Sequence, residues 1–166
     1  MGNVSGISLI QARTEGRIVQ ARALFKEYAA TLGFDLSFQG FDRELAGLPG
    51  EYAPPGGRLL LARDGEAIAG CVALRESSPG VCELKRLYVR PGCRGKGIGR
   101  LLAEAAVKEA RQIGYRAVRL DTVPGMSEAI ALYESMGFQG IEPYRNNPVP
   151  GARYMQLTFP VESGPG

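Results

Sequence analysis

Apolar residues run or alternate in short blocks at 7–12, 58–63, 67–74, 81–89, 117–122, 139–142 and 152–159. Gly, Pro, Asp or Ser bounds most of these blocks, so the pattern predicts about seven strands. Asp64-Gly65-Glu66 joins the second and third as a hairpin. Helical spacing appears at 15–32 through Ile18, Ala21, Phe25, Tyr28 and Leu32, stopped by Gly33. It returns from Gly97 to Gly114, with Ile98, Leu101, Leu102, Ala105 and Ile113 on one face. A further stripe at 127–136 holds Ala129, Leu132, Tyr133 and Met136; it is introduced by Pro124-Gly125 and closed by Gly137. A short helix near 41–46 brings the helices to about four.

Two segments lack periodicity. Residues 34–57 contain Leu48-Pro49-Gly50 and Pro54-Pro55-Gly56-Gly57 among several aromatics, and 143–151 contain Asn146, Asn147, Pro148 and Pro150. Neither is a linker, so one domain over residues 7–160 is expected. A chain of 166 residues with 45% hydrophobic content can bury a core of that size. No apolar run approaches the roughly 20 residues that span a bilayer. Met1-Gly2 is followed by Gly6 where myristoylation would want Ser or Thr, and no secretory pattern precedes the first strand. A soluble, cytoplasmic protein without membrane association is the expectation.

Absence of histidine narrows the chemistry more than composition does. It removes Ser-His and Cys-His pairs, the usual zinc sites and the commonest general base. Cys71, Cys82 and Cys93 are odd in number and form no C-x-x-C pair, so neither disulfides nor metal are expected. Proton transfer falls to carboxylate, tyrosine, cysteine, lysine or water.

The charge is uneven. Lys85, Arg86, Arg90, Arg94, Lys96 and Arg100 occur with no acid among residues 85–100, giving +6 there against +3 overall and −3 for the rest. Gly95, Gly97 and Gly99 alternate within this stretch, between a strand and a helix. Backbone N–H groups at such a turn surround an anion closely, so the stretch reads as one basic anion site.

Arg94-Gly95-Lys96-Gly97-Ile98-Gly99 matches R/Q-x-x-G-x-G/A, the signature of the GCN5-related N-acetyltransferases (GNAT), and the chain resembles that family. The strand ELKRLYV before it, the helix after it and the segment ALYESMGF agree. The resemblance implies an α/β (α+β) GNAT fold: a mixed, mostly antiparallel sheet of about seven strands with about four helices, splayed between the fourth and fifth strands. It also implies acetyl-CoA as cosubstrate, with its phosphates held by Arg94, Gly95, Lys96, Gly97, Ile98, Gly99 and Arg100. Leu87 N–H would polarise the thioester carbonyl, Tyr88 and Val89 would hold the pantetheine arm, Glu83 would act as general base and Tyr133 would protonate the departing thiolate. The acceptor would be a small-molecule or peptide amine, attacking directly in a ternary complex. The family's dimers admit a homodimer. Where many relatives carry Asn, this chain has Met126.

Other readings stand beside these. Glu83 fits a strand-edge carboxylate paired with Lys85 or an arginine, and Tyr133 fits a core tyrosine. Tyr28, Phe34, Phe38, Phe41, Tyr52 and Tyr144 either line an acceptor pocket or cover the core. Cys93, beside Arg94, is a reactive thiol or a passive one. A non-catalytic acyl-CoA sensor would show the same cofactor motif. A dinucleotide-binding fingerprint fails, because its last glycine falls at Leu102 or Arg100. Nucleic-acid binding has no motif beyond the basic cluster.

Overall fold

The computed structural model describes residues 6–32, 36, 40–123 and 126–161. Readings that fall on Met1-Gly2, Gly33, Phe34, Phe38 and Pro124-Gly125 lie outside the described residues. Seven strands form one sheet: β1 (Ile7–Gln11), β2 (Arg58–Asp64), β3 (Ala67–Ser78), β4 (Val81–Val89), β5 (Ala117–Thr122), β6 (Gln139–Gly140) and β7 (Arg153–Thr158). Their order is β1-β2-β3-β4-β5-β7-β6, antiparallel throughout except where β4 meets β5 in parallel. The helices are α1 (Glu15–Thr31), α2 (Phe41–Gly47), α3 (Ile98–Ile113) and α4 (Ser127–Ser135). No described helix is long and apolar enough to cross a membrane.

The two faces of the sheet carry separate cores. Helix α1 starts where the Thr14 side chain accepts a hydrogen bond from the Arg17 backbone at 3.3 Å. It buries Ile18, Ala21, Leu24 and Phe25 with Phe41 of α2 and with Leu59, Leu61 and Cys71 of the sheet. Helix α3 lies on the other face with Tyr133 of α4 and Phe138. Its buried residues are Ile98, Leu102, Ala103, Ala106 and Ala110, whereas Leu101, Ala105 and Ile113 are only partly covered. The buried stripe is thus rotated from the expected one: it keeps Ile98 and Leu102 but continues through Ala103, Ala106 and Ala110, leaving Leu101, Ala105 and Ile113 at its edge.

Strand β3 runs to Ser78, four residues past the apolar block at 67–74, and leaves Pro79-Gly80 as the turn into β4. Strand β6 is shorter than expected, at two residues. Within β4, Cys71 pairs with Tyr88 and Ala73 with Lys85, so Arg86 and Leu87 together stand opposite Val72. This is a β-bulge, and Arg86 has φ 61°, the only non-glycine residue with positive φ among the described residues. A left-handed backbone there costs roughly 1–2 kcal/mol. Three contacts of Arg86 offset that cost. Its guanidinium donates to both Glu44 oxygens at 2.8 and 2.9 Å, sits 5.2 Å from the Phe41 ring centroid, and its carbonyl accepts from the Cys71 thiol at 3.3 Å. The bulge resets the alternation: Leu84, Leu87 and Val89 face the α3 core, while Arg86 and Tyr88 face α1 and α2.

Candidate functional site

Strands β4 and β5 pair only at Val81↔Ala117, Cys82↔Val118 and Glu83↔Arg119. Beyond Glu83 they part, although β5 stays paired to β7 as far as Thr122. Beyond this point a cleft of about 590 Å³ lies between β4 and α4. Leu87, Tyr88 and Val89 line it from β4, Arg94, Gly95, Gly97, Ile98 and Gly99 from the turn and α3, and Met126, Ala129 and Leu132 from the α4 side. The structure therefore brings together most of the residues expected to hold a cofactor.

At one end of the cleft, Gly95 and Gly97 have φ of 83° and 77°, and Gly97 caps α3 with no side-chain hydrogen bond. The first N–H groups of α3 are left without an intrahelical partner and present the positive end of the helix dipole. That arrangement suits a pyrophosphate. The six cations do not form one cluster, however. Lys85 and Arg86 are buried, and Arg86 is bound to Glu44. Arg90 is drawn to Glu27, with bonds of 3.0 and 2.7 Å. Only Arg94, Lys96 and Arg100 remain by the turn. Arg94 lines the cleft and donates to the Val89 carbonyl at 3.0 Å. Lys96 is held by Asp64 at 2.9 Å and Arg100 by Ser135 at 2.6 Å, both exposed and clear of the cleft wall.

Glu83 ends the β4–β5 ladder with no exposed surface. Arg75 donates to its Oε1 at 3.2 and 3.3 Å, and the Tyr144 hydroxyl to Oε2 at 2.9 Å, where Arg145 also binds. Burial alone would raise its pKa; the charges of Lys85, Arg145 and Arg75 outweigh burial and hold it below the ordinary carboxylate range. Both oxygens are engaged, and the carboxylate does not line the cleft or the small cavity beside it.

That small cavity, about 50 Å³, adjoins the cleft and shares Tyr28, Leu87, Met126 and Ala129 with it. Lys85, Asp121, Tyr133 and Asn147 also line it. Burial pushes the Lys85 ammonium down to about 8, with Glu83 opposing and nearby arginines adding to the shift. Burial pushes the Tyr133 phenol up, so it stays protonated at neutral pH. The Tyr133 ring packs 5.5 Å from that of Phe138. Asp121 accepts from Asn147 at 3.0 Å. Cys71 and Cys82 are buried, and burial raises both thiols, which fits packing.

Sequence reasoning missed Arg75, Asp121, Arg145 and Asn147. The only hint was the Asn- and Pro-rich segment 143–151, whose Tyr144 and Arg145 reach Glu83 near the start of β4.

Residues 21–138 match the profile of the Acetyltransferase (GNAT) family. An uncharacterized N-acetyltransferase of Schizosaccharomyces pombe is 41% identical over 155 residues, covering 92% of this chain and 95% of the relative. Another, from Escherichia coli, is 35% identical over 124 residues, 73% of each. Among solved structures, an acetyltransferase from Streptococcus agalactiae superposes with a TM-score of 0.76 at 20% identity, over 93% of this chain and 99% of that one. A putative acetyltransferase from Salmonella typhimurium, solved with its cofactor acetyl-CoA, gives 0.70 at 16% identity, over 98% and 99%. At these identities the structural likeness concerns the fold.

Proposed function

Since this chain belongs to the acetyltransferase (GNAT) family, we propose that it transfers the acetyl group of acetyl-CoA to a primary amine by direct attack in a ternary complex. The observation that carries this reading is the early end of the β4–β5 ladder, which leaves a cleft running from the side-chain-free α3 N-terminus to the small cavity. In this reading Gly95, Gly97, Ile98 and Gly99 offer backbone to the pyrophosphate. Arg94, Lys96 and Arg100 supply positive charge at the mouth. Tyr88 and Val89 hold the pantetheine arm along the unpaired side of β4, and Leu87 N–H takes up charge developing on the thioester oxygen. Tyr133, kept protonated by burial, gives its proton to the departing thiolate. Glu83, with its oxygens engaged, draws the acceptor's proton through a water rather than by contact. Acetyl-CoA supplies the activated acyl group; the protein supplies orientation, a dry wall and proton transfer.

A thiol-release assay with acetyl-CoA and a panel of small and peptide amines tests the reading. Free thiol should appear in proportion to acceptor. Tight acetyl-CoA binding with no release across the panel would instead identify an acyl-CoA sensor.

A further inference from the structure

Resting on that reading of the cleft, we infer that Asp121, aimed by Asn147, is the carboxylate that touches the acceptor amine and takes its first proton. Glu83 is sealed: it has no exposed surface, Arg75, Tyr144 and Arg145 occupy its oxygens, and it lines neither the cleft nor the small cavity. Its pull through water therefore needs an intermediary at the reacting atoms. Asp121 lines the same cavity as Leu87, whose N–H meets the thioester in this reading, and Tyr133, the acid for the thiolate. Among the described residues that line the cavity it is the only carboxylate.

The strand explains the placement. Val118 and Leu120 pack on the α3 face, so alternation turns Arg119 and Asp121 to the opposite face. There Arg119 lies over the Tyr144 ring at 4.0 Å and Asp121 meets Asn147, both partners belonging to segment 143–151. Tyr133 comes from the α3 core, so base and acid reach the cavity from opposite faces of the sheet. Asn147 is itself fixed. Its backbone N–H donates to the Tyr154 hydroxyl at 3.0 Å, which donates to the Arg145 carbonyl at 2.9 Å. Its side-chain oxygen accepts from the Val149 N–H at 2.9 Å, so its amide nitrogen is the atom that donates to Asp121 Oδ2, at 3.0 Å. Asp121 has accepting capacity beyond that bond, and Oδ1 is the atom assigned to the amine.

A primary amine arrives as an ammonium at neutral pH. Asp121 takes the first proton and a water passes it on toward Glu83 and solvent, which frees the nitrogen lone pair. The C–N bond then forms as the C–S bond breaks. The nitrogen's second proton goes to Asp121 in its turn, the departing thiolate takes one from Tyr133, and water carries the former back to the latter. Other titratable or charged groups stand close: Lys85, Arg86, Tyr28 and Tyr133 line the cavity, and Arg119, Tyr144 and Arg145 lie on the Asp121 side of the sheet. All are shared by wild type and variant, so a pH profile is read by difference.

The experiment measures thiol release from acetyl-CoA with the best acceptor among benzylamine, cadaverine and glycinamide. Asp121→Asn should lower kcat about a hundredfold or more at neutral pH, with the KM for acetyl-CoA and the thermal midpoint unchanged. The deficit should shrink as pH rises toward the pKa of the amine, because solvent then supplies the neutral nucleophile. Asn147→Ala should lower kcat about tenfold by letting the carboxylate turn, again at unchanged KM for acetyl-CoA. Glu83→Gln should lower kcat less than Asp121→Asn does. If Asp121→Asn does not fold, Asp121→Glu keeps the charge but displaces it, and should lower kcat about tenfold or more. Full activity in the Asp121 variant, a deficit that ignores pH, or a larger loss in Glu83→Gln overturns the inference and leaves the transferase reading standing. If acetyl-CoA binds but no amine releases thiol from the wild type, the transferase reading falls and the inference with it.

Discussion

Arg86 meets Glu44 with two parallel hydrogen bonds, Nε to Oε2 at 2.8 Å and Nη2 to Oε1 at 2.9 Å, and this pair fixes the bulge of β4. The Arg86 side chain is 2% exposed and that of Glu44 12%. Glu44→Ala leaves a guanidinium buried without its partner on a strained backbone. A loss of about 3 kcal/mol is expected in denaturant unfolding, with weaker acetyl-CoA binding because Leu87 no longer holds its place.

Gly95→Ala separates backbone strain from crowding. A methyl group there meets nothing within 4 Å, yet φ is 83°. Stability should fall by only about 1 kcal/mol. Affinity for CoA should drop more than that strain alone explains, while affinity for a phosphate-free pantetheine fragment stays the same; isothermal titration of both ligands checks this.

Tyr133→Phe removes the hydroxyl and keeps the ring packed on Phe138. Turnover should fall about a hundredfold with the thermal midpoint little changed. Full activity in steady-state assays would make Tyr133 a packing residue.

Glu83 has a pH signature. Its folded pKa lies below its ordinary value of 4.5, so its contribution to stability is fully present above that value and is lost as pH falls through the folded pKa. Glu83→Gln should cost about 3 kcal/mol at neutral pH by leaving Arg75, Arg145 and Lys85 crowded. Below about pH 4.5 the gap to wild type should narrow. Unfolding in urea at several pH values measures it.

Much of the scaffold was readable from local pattern. Strands β4 and β5 begin and end where breakers and alternation put them, at Val81–Val89 and Ala117–Thr122. The glycine turn and the α3 start were equally plain, because both depend on neighbours in sequence. The ring around Glu83 was not. Arg145 and Tyr144 lie 62 and 61 positions away, and no periodicity links a loop to the strand it covers. The six cations misled for a related reason: proximity in sequence says nothing about the side of the strand each one takes, and the bulge at Arg86 changes that side partway along β4.

The short β4–β5 ladder makes the sheet two leaves on a narrow spine. Among the described residues, the strand pairs of 81–83 with 117–119 are the only ladder rungs joining β1 to β4 with β5, β7 and β6. An extended ligand lying between the leaves takes the place of the missing rungs, so the protein should become harder to melt in proportion to how tightly the ligand binds. Packing changes at Ala117 or Val118, buried on that spine and away from the cleft wall, should then register as altered ligand affinity before they register as unfolding.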